Sequence, residues 1–482
     1  MIDTEALRKK VIDLAIQGKL TEQLPSDGDA ETLYAQILNQ KSLLIKEGKI
    51  KKDNELPDVA VDEIPFEIPN NWKWIRWGNA VNVVSARRVH QSDWRKEGIP
   101  FYRAREIATL ADFGKVDNDL YISEELYNEF SRSGVPHGGD LMVTGVGTLG
   151  KTYVVKDNDR FYYKDASVLC FENYASLVAE YLKRLMESSL MHSQIESNSG
   201  GTTVDTLTMV RMNQYIMPLP PQSEQKRIVN VIDMILKQID IIDDLQAKYS
   251  NDLAVLKSKI IDAGIQGKLT EQLPEDGDAE DLYKQMQEEK EKLIKEGKIK
   301  KEKSLPDITE ADIPFEIPKN WKWVYLGEVF QHNTGKALNS AETTGTLLEY
   351  ITTSNLYWDR FELDNIKKMY FSESEIDKCT ITKGDLLVCE GGDIGRAAIW
   401  PYDYEMRIQN HIHKLRGYLP DICARYYYYV LWLFKQIGLI DGRGIGLQGF
   451  SSKRLHALIV PFPPTSEQKR ITDIIDEYMS LC

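Results

Sequence analysis

The chain has 482 residues, a formal net charge of −14 and a hydrophobic fraction of 42%, which is ordinary for a soluble globular protein. This length predicts roughly three domains, and no apolar run approaches the ~18–20 residues that cross a bilayer, so no membrane association is expected. The acidic balance argues only weakly against nucleic-acid binding, because local basic patches rather than total charge make such contacts.

The N-terminus and the cysteines predict the compartment. The opening residues, MIDTEALRKK, lack the apolar core of a signal peptide. The five cysteines form no C-x-x-C pair. Free thiols and a cytoplasmic location are therefore expected.

The first half of the chain opens with two predicted helices. Apolar residues at helical spacing predict a helix over residues 5–16, and Asp29 is placed to cap a second helix that runs to about Lys46. A basic run at 49–52 and a linker with three prolines at 57–69 follow this helix. The linker separates the helices from the region that comes next.

A strand-rich globular region is predicted over residues 72–221. Short β-prone runs occur at 140–144 and 152–155, and a helix is expected near 175–187. Two consecutive prolines end the region. The mixture of elements indicates one strand-rich globular region that also contains a helix.

A long helix is predicted from Ser223, where apolar residues recur at steps of three and four as far as Ile260. This pattern, over four to five heptads, is typical of a coiled coil. At ~1.5 Å per residue, a helix of about 40 residues is about 60 Å long. The plan then repeats: a helix capped by Asp278, a basic run at 298–303, a globular region at 321–464 and a new helix from Ser466.

Three sequence blocks occur twice, which indicates a duplicated half-protein. The copies are IQGKLTEQLP at 16–25 and 265–274, PFEIPNNWKW at 65–74 with PFEIPKNWKW at 314–323, and SEQKRI at 223–228 and 466–471. The offsets of 249 and 243 residues are far longer than the about 20–50 residues of a solenoid repeat. Because the stretches between the blocks have diverged, the pattern predicts one scaffold built twice that carries two different reading domains.

The duplication also predicts the architecture. Residues 466–482 align with the start of the long central helix, and residues 1–17 align with its end, so the second copy of that helix is split between the two termini. The predicted fold class is α+β, with two α/β domains joined by long antiparallel coiled-coil helices in a pseudo-two-fold, circularly closed arrangement. The predicted segments are 1–63, 64–222, 223–312, 313–465 and 466–482.

A P-loop pattern in the first domain is interpreted as a glycine-rich hairpin. Residues 145–152, GVGTLGKT, match G-x-x-x-x-G-K-[ST] letter for letter. A P-loop needs a helix directly after it to hold the phosphates, whereas TYVVKDNDRFYY predicts a strand and a turn. The aligned stretch 390–397, EGGDIGRA, has lost the first glycine and the Ser/Thr. Lys151 and Arg396 at matched positions suggest that the hairpin approaches a phosphate.

Other catalytic and metal-binding patterns are not supported. The Pro-Pro pairs lie in PLPPQ and PFPPT, which differ from the [DNS]-P-P-[YFW] motif of adenine and cytosine-N4 methyltransferases. His411 and His413 alternate along a predicted strand with no nearby cysteine, which favours a structural role over a metal site. The chain is therefore predicted to have no catalytic centre and no metal site of its own.

The order of these features resembles the specificity (S, HsdS) subunit of Type I restriction-modification systems. The motifs that carry the resemblance cover essentially the whole chain and occur in both halves: GKLTEQLP, LIKEGKIKK, IPFEIPxNWKW, the hairpins GDLMVTGVGTLGK (139–151) and GDLLVCEGGDIGR (384–396), and PxPPxSEQKRI. The resemblance implies two α/β target-recognition domains joined by a pair of antiparallel conserved helices.

The resemblance also implies a function and partners. The chain would be a non-catalytic subunit that reads a bipartite, asymmetric target in double-stranded DNA. It would hold two methyltransferase subunits and, through them, possibly two ATP-dependent nuclease subunits. No cofactor is expected in this chain, since S-adenosylmethionine, ATP and Mg²⁺ belong to the partners. The alternatives are a coiled-coil adaptor whose two dissimilar domains bind proteins and, less favoured, a P-loop enzyme.

Two domains of unlike sequence should read two unlike half-sites. In FYRAREI (101–107) and YITTSNL (350–356), Arg103 aligns with Thr352 and Arg105 with Ser354. In a strand each of these pairs would project on one side of the sheet, because side chains alternate with a period of two. Base edges are read by such side chains. The further base-contact candidates are Asn355, Arg87, Arg88 and Lys336.

The remaining candidates are expected to contact DNA phosphates, which position a protein without reading sequence. They are Lys151, Arg396, Lys453, Arg454 and Arg211, the last of which matches Arg454. The basic runs at 49–52 and 298–303 follow helix ends, where cations favour the helix dipole. We interpret these runs as solvated helix termini that touch partner subunits.

Overall fold

The computed structural model describes residues 1–52, 56–131, 134–197, 206–301, 303–339, 343–440 and 450–481. These residues form two compact units, Met1–Ala247 and Lys248–Cys482. Each unit combines helices with small sheets, which confirms the predicted α+β class. In the described ranges, no helix is long and apolar enough to cross a membrane.

The first unit contains eight helices in its described part and shares a ninth with the second unit. The eight are α1 (Thr4–Ile16), α2 (Ala30–Lys46), α3 (Trp77–Ala80), α4 (Ala104–Phe113), α5 (Glu124–Ser131), α6 (Ala179–Met186), α7 (Ser189–Ser197) and α8 (Met209–Gln214). Its strands are β1 (Lys73–Arg76), β2 (Asn82–Ser85), β3 (Ile99–Tyr102), β4 (Tyr121–Ile122), β5 (Leu141–Thr144), β6 (Thr152–Val154), β7 (Tyr162–Tyr163), β8 (Val168–Glu172) and β9 (Ile216–Leu219).

The long helix α9 (Gln222–Ile265) crosses the division between the units. The other helices of the second unit are α10 (Ala279–Lys295), α11 (Leu326–Val329), α12 (Glu373–Cys379), α13 (Ala424–Gln436), α14 (Ser452–His456) and α15 (Thr465–Leu481). Its strands are β10 (Lys322–Tyr325), β11 (Phe330–Thr334), β12 (Thr346–Ile351), β13 (Leu356–Tyr357), β14 (Arg360–Phe361), β15 (Lys367–Phe371), β16 (Thr380–Ile381), β17 (Leu386–Cys389), β18 (Ala397–Ile399), β19 (Met406–Ile408), β20 (Ile412–Gly417) and β21 (Ile459–Phe462).

The capped helices form as the sequence predicts. The Asp29 carboxylate accepts a hydrogen bond from the Thr32 N–H at 2.7 Å, and α2 ends before Gly48, which has a φ of +70°. The Asp278 carboxylate accepts from the Glu280 N–H at 2.8 Å at the start of α10. Side-chain oxygens at these positions satisfy backbone donors that have no partner within the helix.

The two globular regions share one strand topology although their sequences differ. A four-stranded antiparallel sheet has the order β2-β8-β5-β6 in the first unit and β11-β20-β17-β18 in the second. A second sheet has β3 between antiparallel β4 and parallel β7, and in the other unit β12 lies between antiparallel β15 and parallel β19. The strands that enter and leave each region pair with each other, β1 with β9 and β10 with β21.

A buried glutamate at the start of a helix holds the repeated sequence blocks of each unit together. The Glu224 carboxylate accepts hydrogen bonds from Trp72 Nε1 (2.8 Å), Thr21 Oγ1 (2.8 Å) and Gln23 Nε2 (2.9 Å). In the second unit, Glu467 accepts from the matching side chains Trp321 Nε1 (2.7 Å), Thr270 Oγ1 (2.9 Å) and Gln272 Nε2 (2.5 Å). Both glutamates are fully buried. The repeated sequence blocks therefore specify one repeated hydrogen-bond network.

Helix α1 runs antiparallel to α9 in the first unit, and α15 packs against α9 in the second unit. In the first unit, the Thr4 hydroxyl donates a hydrogen bond to Asp243, and Arg8 Nη2 lies 2.6 Å from Asp240. Higher residue numbers in α1 therefore meet lower residue numbers in α9, so the two helices run in opposite directions. In the second unit, α15 lies so close to α9 that a Cβ built on Gly264 would come within 2.8 Å of Ile475. Glycine at this position therefore allows the two helices to pack closely.

An ion pair repeats beside each buried glutamate. Arg227 donates to both carboxylate oxygens of Asp27, at 2.7 and 2.6 Å, and Arg470 does the same to Asp276 at 2.6 Å for both. The Arg227 guanidinium lowers the pKa of Asp27 to about 2. The Asp27 side chain is only 3% exposed, so solvent screens this pair weakly.

We expect Asp27→Asn to weaken the first unit at neutral pH and to flatten its acid unfolding. The folded pKa of Asp27 lies below the ~3.9 of an unfolded aspartate, so the stabilisation is present above about pH 4 and is lost as pH falls towards 2. After allowance for screening it amounts to about 1–2 kcal/mol. Urea unfolding between pH 7 and pH 2.5 measures this difference. The exposed Asp62→Asn is the control, and an unchanged pH profile in Asp27→Asn would contradict the assignment.

The two segments predicted to read bases, 101–107 and 350–356, are called the reading segments. The prediction that each continues as a strand is wrong in both units. β3 ends at Tyr102, and Arg103 is the N-cap of α4, since the Glu106 carboxylate accepts from the Arg103 N–H at 3.0 Å and caps the helix. In the second unit β12 ends at Ile351, and a turn follows because the Asn355 side chain accepts from the Thr352 N–H at 2.9 Å. Local side-chain hydrogen bonds stop both strands early.

Candidate nucleic-acid interface

The candidate reading residues of both units lie at one topological position. They directly follow the central strand of the second sheet, which is β3 in the first unit and β12 in the second. The first unit continues from there into helix α4, whereas the second continues into a turn and the β13–β14 hairpin. The two units therefore share the sheet, but the segment that follows its central strand is a helix in the first unit and a turn with a hairpin in the second.

Two carboxylates hold the arginines of the first unit in place. Arg103 donates from Nε and Nη2 to Glu106, at 3.0 and 2.8 Å, and from Nη2 to Asp119 at 2.9 Å. Burial of the Glu106 carboxyl raises its pKa, but the hydrogen bonds from Arg103 and Arg105 outweigh burial, and the pKa lies below its usual value. Arg103 is mostly covered, whereas the Arg105 side chain is 70% exposed. Of the two arginines, Arg105 is better placed to reach a ligand.

The matching residues of the second unit form a closed turn. Thr352 Oγ1 lies 2.7 Å from Ser354 Oγ and donates to Asn355 Oδ1 at 2.9 Å. Asn355 Nδ2 donates to the Glu362 carbonyl at 2.9 Å. Thr352 and Asn355 are buried, and Ser354 is exposed. The turn therefore presents Ser354, while Thr352 and Asn355 build it.

The glycine-rich hairpin of each unit contacts the reading segment. Gly147 and Gly150 have φ of +73° and +78°, and strand β6 rather than a helix follows the loop, so the P-loop geometry is replaced by a hairpin as predicted. Lys151 pairs with Asp112 on α4. Arg396 donates from Nη2 to the Thr353 carbonyl at 2.6 Å and lies over the Tyr357 ring. DNA contact by these two cations stays a prediction, but both of them connect the hairpin to the segment beside it.

The loop residues predicted to contact bases have different environments. Arg87 lies over the Phe130 ring and 3.4 Å from Glu129, and it is half exposed. Arg88 pairs with Asp165 at 3.1 Å and is 71% exposed. Lys336 is buried and donates to the Tyr370 carbonyl and to Glu375, both at 2.8 Å. The arginines are therefore accessible, and Lys336 is committed to internal bonds.

The predicted phosphate contacts near the end of each globular region occupy matching short helices. Arg211 lies in the first turn of α8, which Thr208 caps, and Arg454 in the first turn of α14, which Ser451 caps. Both arginines and Lys453 are exposed. The structure thus confirms the sequence alignment of Arg211 with Arg454, whereas their role on DNA stays a prediction.

The two histidines of the predicted strand differ in their surroundings. His413 is fully buried, with Nδ1 3.0 Å from His332 Nε2 and Nε2 2.7 Å from the Phe450 carbonyl. His411 is exposed, 3.6 Å from Glu390. Over the residues that the structure describes, no group of three or more His, Cys, Asp and Glu side chains could hold a metal ion.

Comparison with known proteins gives the family. A family model described as the Type I restriction modification DNA specificity domain matches residues 69–248 and 318–482. The chain belongs to this family. It is similar to the specificity subunits of two Type I restriction enzymes of Escherichia coli. The EcoAI subunit is 25% identical over 550 residues (99% of this chain, 89% of the relative), and the EcoEI subunit is 23% identical over 562 residues, with the same two coverages.

Solved structures show the same fold. The HsdS subunit from Thermoanaerobacter tengcongensis has a TM-score of 0.54 at 17% identity, covering 87% of this chain and 92% of that one. A chain from a structure titled as the basis of complex assembly and conformational transition of the type I R-M system has a TM-score of 0.59 at 17% identity, covering 86% and 92%. With the family match, these findings make the chain a Type I restriction-modification specificity subunit with DNA-binding target-recognition domains.

Proposed function

We propose that the chain reads a bipartite, asymmetric DNA target, with one half read by each globular region, and that it is non-catalytic. The observation that carries the proposal is the shared topology of the two regions with different side chains at one position, namely Arg105 on a helix and Ser354 on a turn. Arginine and serine side chains make different contacts with base edges. Two regions with the same strand topology but different side chains at this position are therefore suited to two half-sites of different sequence.

The proposal includes the arrangement that the duplication predicts, with long antiparallel coiled-coil helices, pseudo-two-fold symmetry, circular closure and the five predicted segments. The repeated bonds of Glu224 and Glu467 support the duplication. The antiparallel course of α1 against α9 and the close packing of α15 on α9 support the coiled coil. Each of these contacts lies within a single unit.

We further propose that the conserved helices hold two methyltransferase subunits and, through them, two nuclease subunits. In the first unit, α9 exposes the large apolar side chains of Met234, Ile241 and Leu245. In the second unit, it exposes Tyr249 and Leu256. Apolar side chains exposed in series along a helix are suited to a protein partner.

The chemistry of the assembly would then reside in the partners. S-adenosylmethionine would supply the methyl group in the methyltransferase subunits, and ATP with Mg²⁺ would be bound by the nuclease subunits. This chain would bind no cofactor and would work in the cytoplasm, where the target DNA lies. Its four described cysteines are free thiols, which suits a reducing compartment.

The test is purification with the proposed methyltransferase partner of the host, followed by mapping of N6-methyladenine in the host DNA. We expect methylation at a two-part motif with a fixed gap of unspecified bases. Replacing residues 322–462 with the corresponding region of another specificity subunit should change one half of the motif and leave the other unchanged. β10 and β21 pair at the boundaries of this exchange, so the graft keeps the entry and exit register.

A stable complex without methylation of any two-part motif would overturn the reading proposal. Failure to form a complex, together with binding of unrelated proteins by the two globular regions, would favour the coiled-coil adaptor. A change of both motif halves after the exchange would contradict the assignment of one half to each region.

A further inference from the structure

A cleft of about 640 Å³ in the second unit carries an excess of positive charge. Lys303, Lys378 and Lys453 line it, and no Asp or Glu lies among its described lining residues. The chain as a whole has more acidic than basic residues, 74 against 60, so a wall with three lysines and no carboxylate is unlike its average surface. All three lysines are exposed at this wall.

The lysines of this cleft have unused hydrogen-bonding capacity. Within the described ranges, no carboxylate lies at ion-pair distance from Lys303, Lys378 or Lys453, although exposed lysines elsewhere in the unit, such as Lys383 with Asp403, are paired. Asn333 and Ser452 add neutral donors to the same wall. Three ammonium groups with amide and hydroxyl donors match the oxygens of a phosphate group.

His332 lines the cleft and belongs to a hydrogen-bonded chain with His413 and Phe450. Since a carbonyl can only accept, His413 Nε2 donates to Phe450, and His332 Nε2 donates to His413 Nδ1. Burial and the neighbouring histidines lower the pKa of His332 to about 3, so this ring stays neutral near pH 7. The positive charge contributed by the three lysines of the wall is therefore not shared by the His332 ring.

A basic cleft of about 570 Å³ recurs at the matching place in the first unit. Its wall includes β2, the counterpart of β11, and the segment after α2 supplies Lys49 and Lys51. Arg87 also lines this cleft. Ile50 between the two lysines is buried and anchors this segment. Glu172 is the one carboxylate among the described residues of this lining, so three cations face one acid.

We propose that each cleft binds a phosphate of the DNA backbone and so anchors its globular region on the duplex without reading sequence. The inference rests on the proposed DNA-reading function and gives the basic runs at 49–52 and 298–303 a role beyond that of solvated helix ends. Lys49 and Lys298 pair with Glu47 and Glu296 as helix-end cations would. Lys49 nevertheless lines the first cleft together with Lys51, and Lys303 lines the second.

The test compares DNA binding by complexes of the full chain with its methyltransferase partner. The cleft variant carries Lys303→Ala, Lys378→Ala and Lys453→Ala. The matched control carries Lys284→Ala, Lys295→Ala and Lys319→Ala, three exposed lysines of the same unit outside the cleft. A third protein replaces the cleft lysines with arginine and keeps their charge. Affinity is measured for a cognate duplex and a scrambled duplex between 50 and 200 mM salt.

We expect the alanine variant to bind both duplexes more weakly by the same factor. The slope of log K against log salt should fall by about 0.9, since the cleft holds one phosphate and each lost phosphate contact removes about 0.9. The arginine variant and the outside-lysine control should keep the wild-type slope. Corresponding losses are expected for Lys49→Ala with Lys51→Ala in the first unit.

Three outcomes would overturn the phosphate-binding proposal. They are an unchanged salt slope in the alanine variant, an equal fall of the slope in the outside-lysine control, or a loss of affinity for the cognate duplex alone. A wild-type complex that prefers no duplex would instead refute the DNA-reading function, which is a separate result. Addition of inorganic phosphate at constant ionic strength distinguishes a site for a DNA backbone phosphate from a site for free phosphate. If free phosphate competes with DNA at low millimolar concentration, the cleft is a site for small anions and the backbone assignment fails.

Discussion

Glu224→Ala should lower the free energy of unfolding of the first unit by about 3 kcal/mol. The substitution removes a fully buried carboxylate that accepts three hydrogen bonds, and it leaves the Trp72 indole N–H, the Thr21 hydroxyl and the Gln23 amide without their partner. Buried donors without acceptors cost about 1–3 kcal/mol each and do not add fully. Urea unfolding followed by tryptophan fluorescence measures the loss.

The duplication supplies a matched experiment. Glu467→Ala breaks the same three bonds in the second unit, so it should cost a similar free energy there. Glu180→Ala, at an exposed position on α6, should stay within about 0.5 kcal/mol of the wild type. If Glu224→Ala and Glu180→Ala unfold at the same urea concentration, the carboxylate does not hold the repeated blocks together.

The sequence predicts most of the helical scaffold because its signals are local or repeated. Asp29 and Asp278 cap the helices that follow them, and the apolar periodicity from Ser223 gives the long helix. The repeated blocks identify corresponding positions, but the sequence does not show why they recur. The partners of Glu224 lie far from it along the chain, so their shared hydrogen bonds become visible only in three dimensions.

The reading segments could not be placed correctly because two short-range effects outweigh β-propensity. In FYRAREI, Glu106 caps a helix and Ile107 with Leu110 forms its buried face, a spacing of three that the strand interpretation overlooked. In YITTSNL, the Asn355 side chain closes a turn. The acidic partners Asp112 and Asp119, which pair with candidate cations, come from segments that carry no motif.

The clefts were missed for a different reason. Lys303, Lys378 and Lys453 are far apart in the sequence, and only Lys453 stands out as a candidate there. Lys378 lies on a short helix within the diverged region, and the first unit builds its own cleft with Arg87 instead. A site assembled from different positions in each copy leaves no repeated motif that a sequence comparison can detect.

Arg105→Ala should change one half of the recognised motif without unfolding the first unit. The Arg105 side chain is 70% exposed, and Glu106 keeps its bonds from Arg103 when Arg105 is removed. Loss of one base contact costs about 1–3 kcal/mol, or about 5–150-fold in affinity for the cognate duplex. N6-methyladenine mapping should show relaxed bases in one half of the motif only. Ser354→Ala should relax the other half, with a smaller effect.

Arg103→Ala tests whether Arg103 stabilises α4 through Glu106 while Arg105 contacts the base. The Glu106 side chain is 1% exposed and receives two side-chain hydrogen bonds from Arg103, so this substitution leaves the buried carboxylate with the Arg105 guanidinium and the backbone N–H of residue 103. We expect about 2 kcal/mol of destabilisation around α4, and a double-mutant cycle with Glu106→Ala should return a coupling of about 1–3 kcal/mol. Arg105→Ala should show little coupling to stability in the same cycle.

The exposed Arg160→Ala in the same unit controls for loss of positive charge. It should leave both halves of the methylated motif unchanged. If Arg105→Ala and Arg160→Ala weaken all duplexes equally, Arg105 acts through charge alone and does not read a base. If Arg103→Ala relaxes the motif at full stability, the two arginines have exchanged roles: Arg103 would be the reader, and Glu106 would be held by Arg105. Because only the reading arginine can alter the motif without altering stability, the paired measurements assign each role independently.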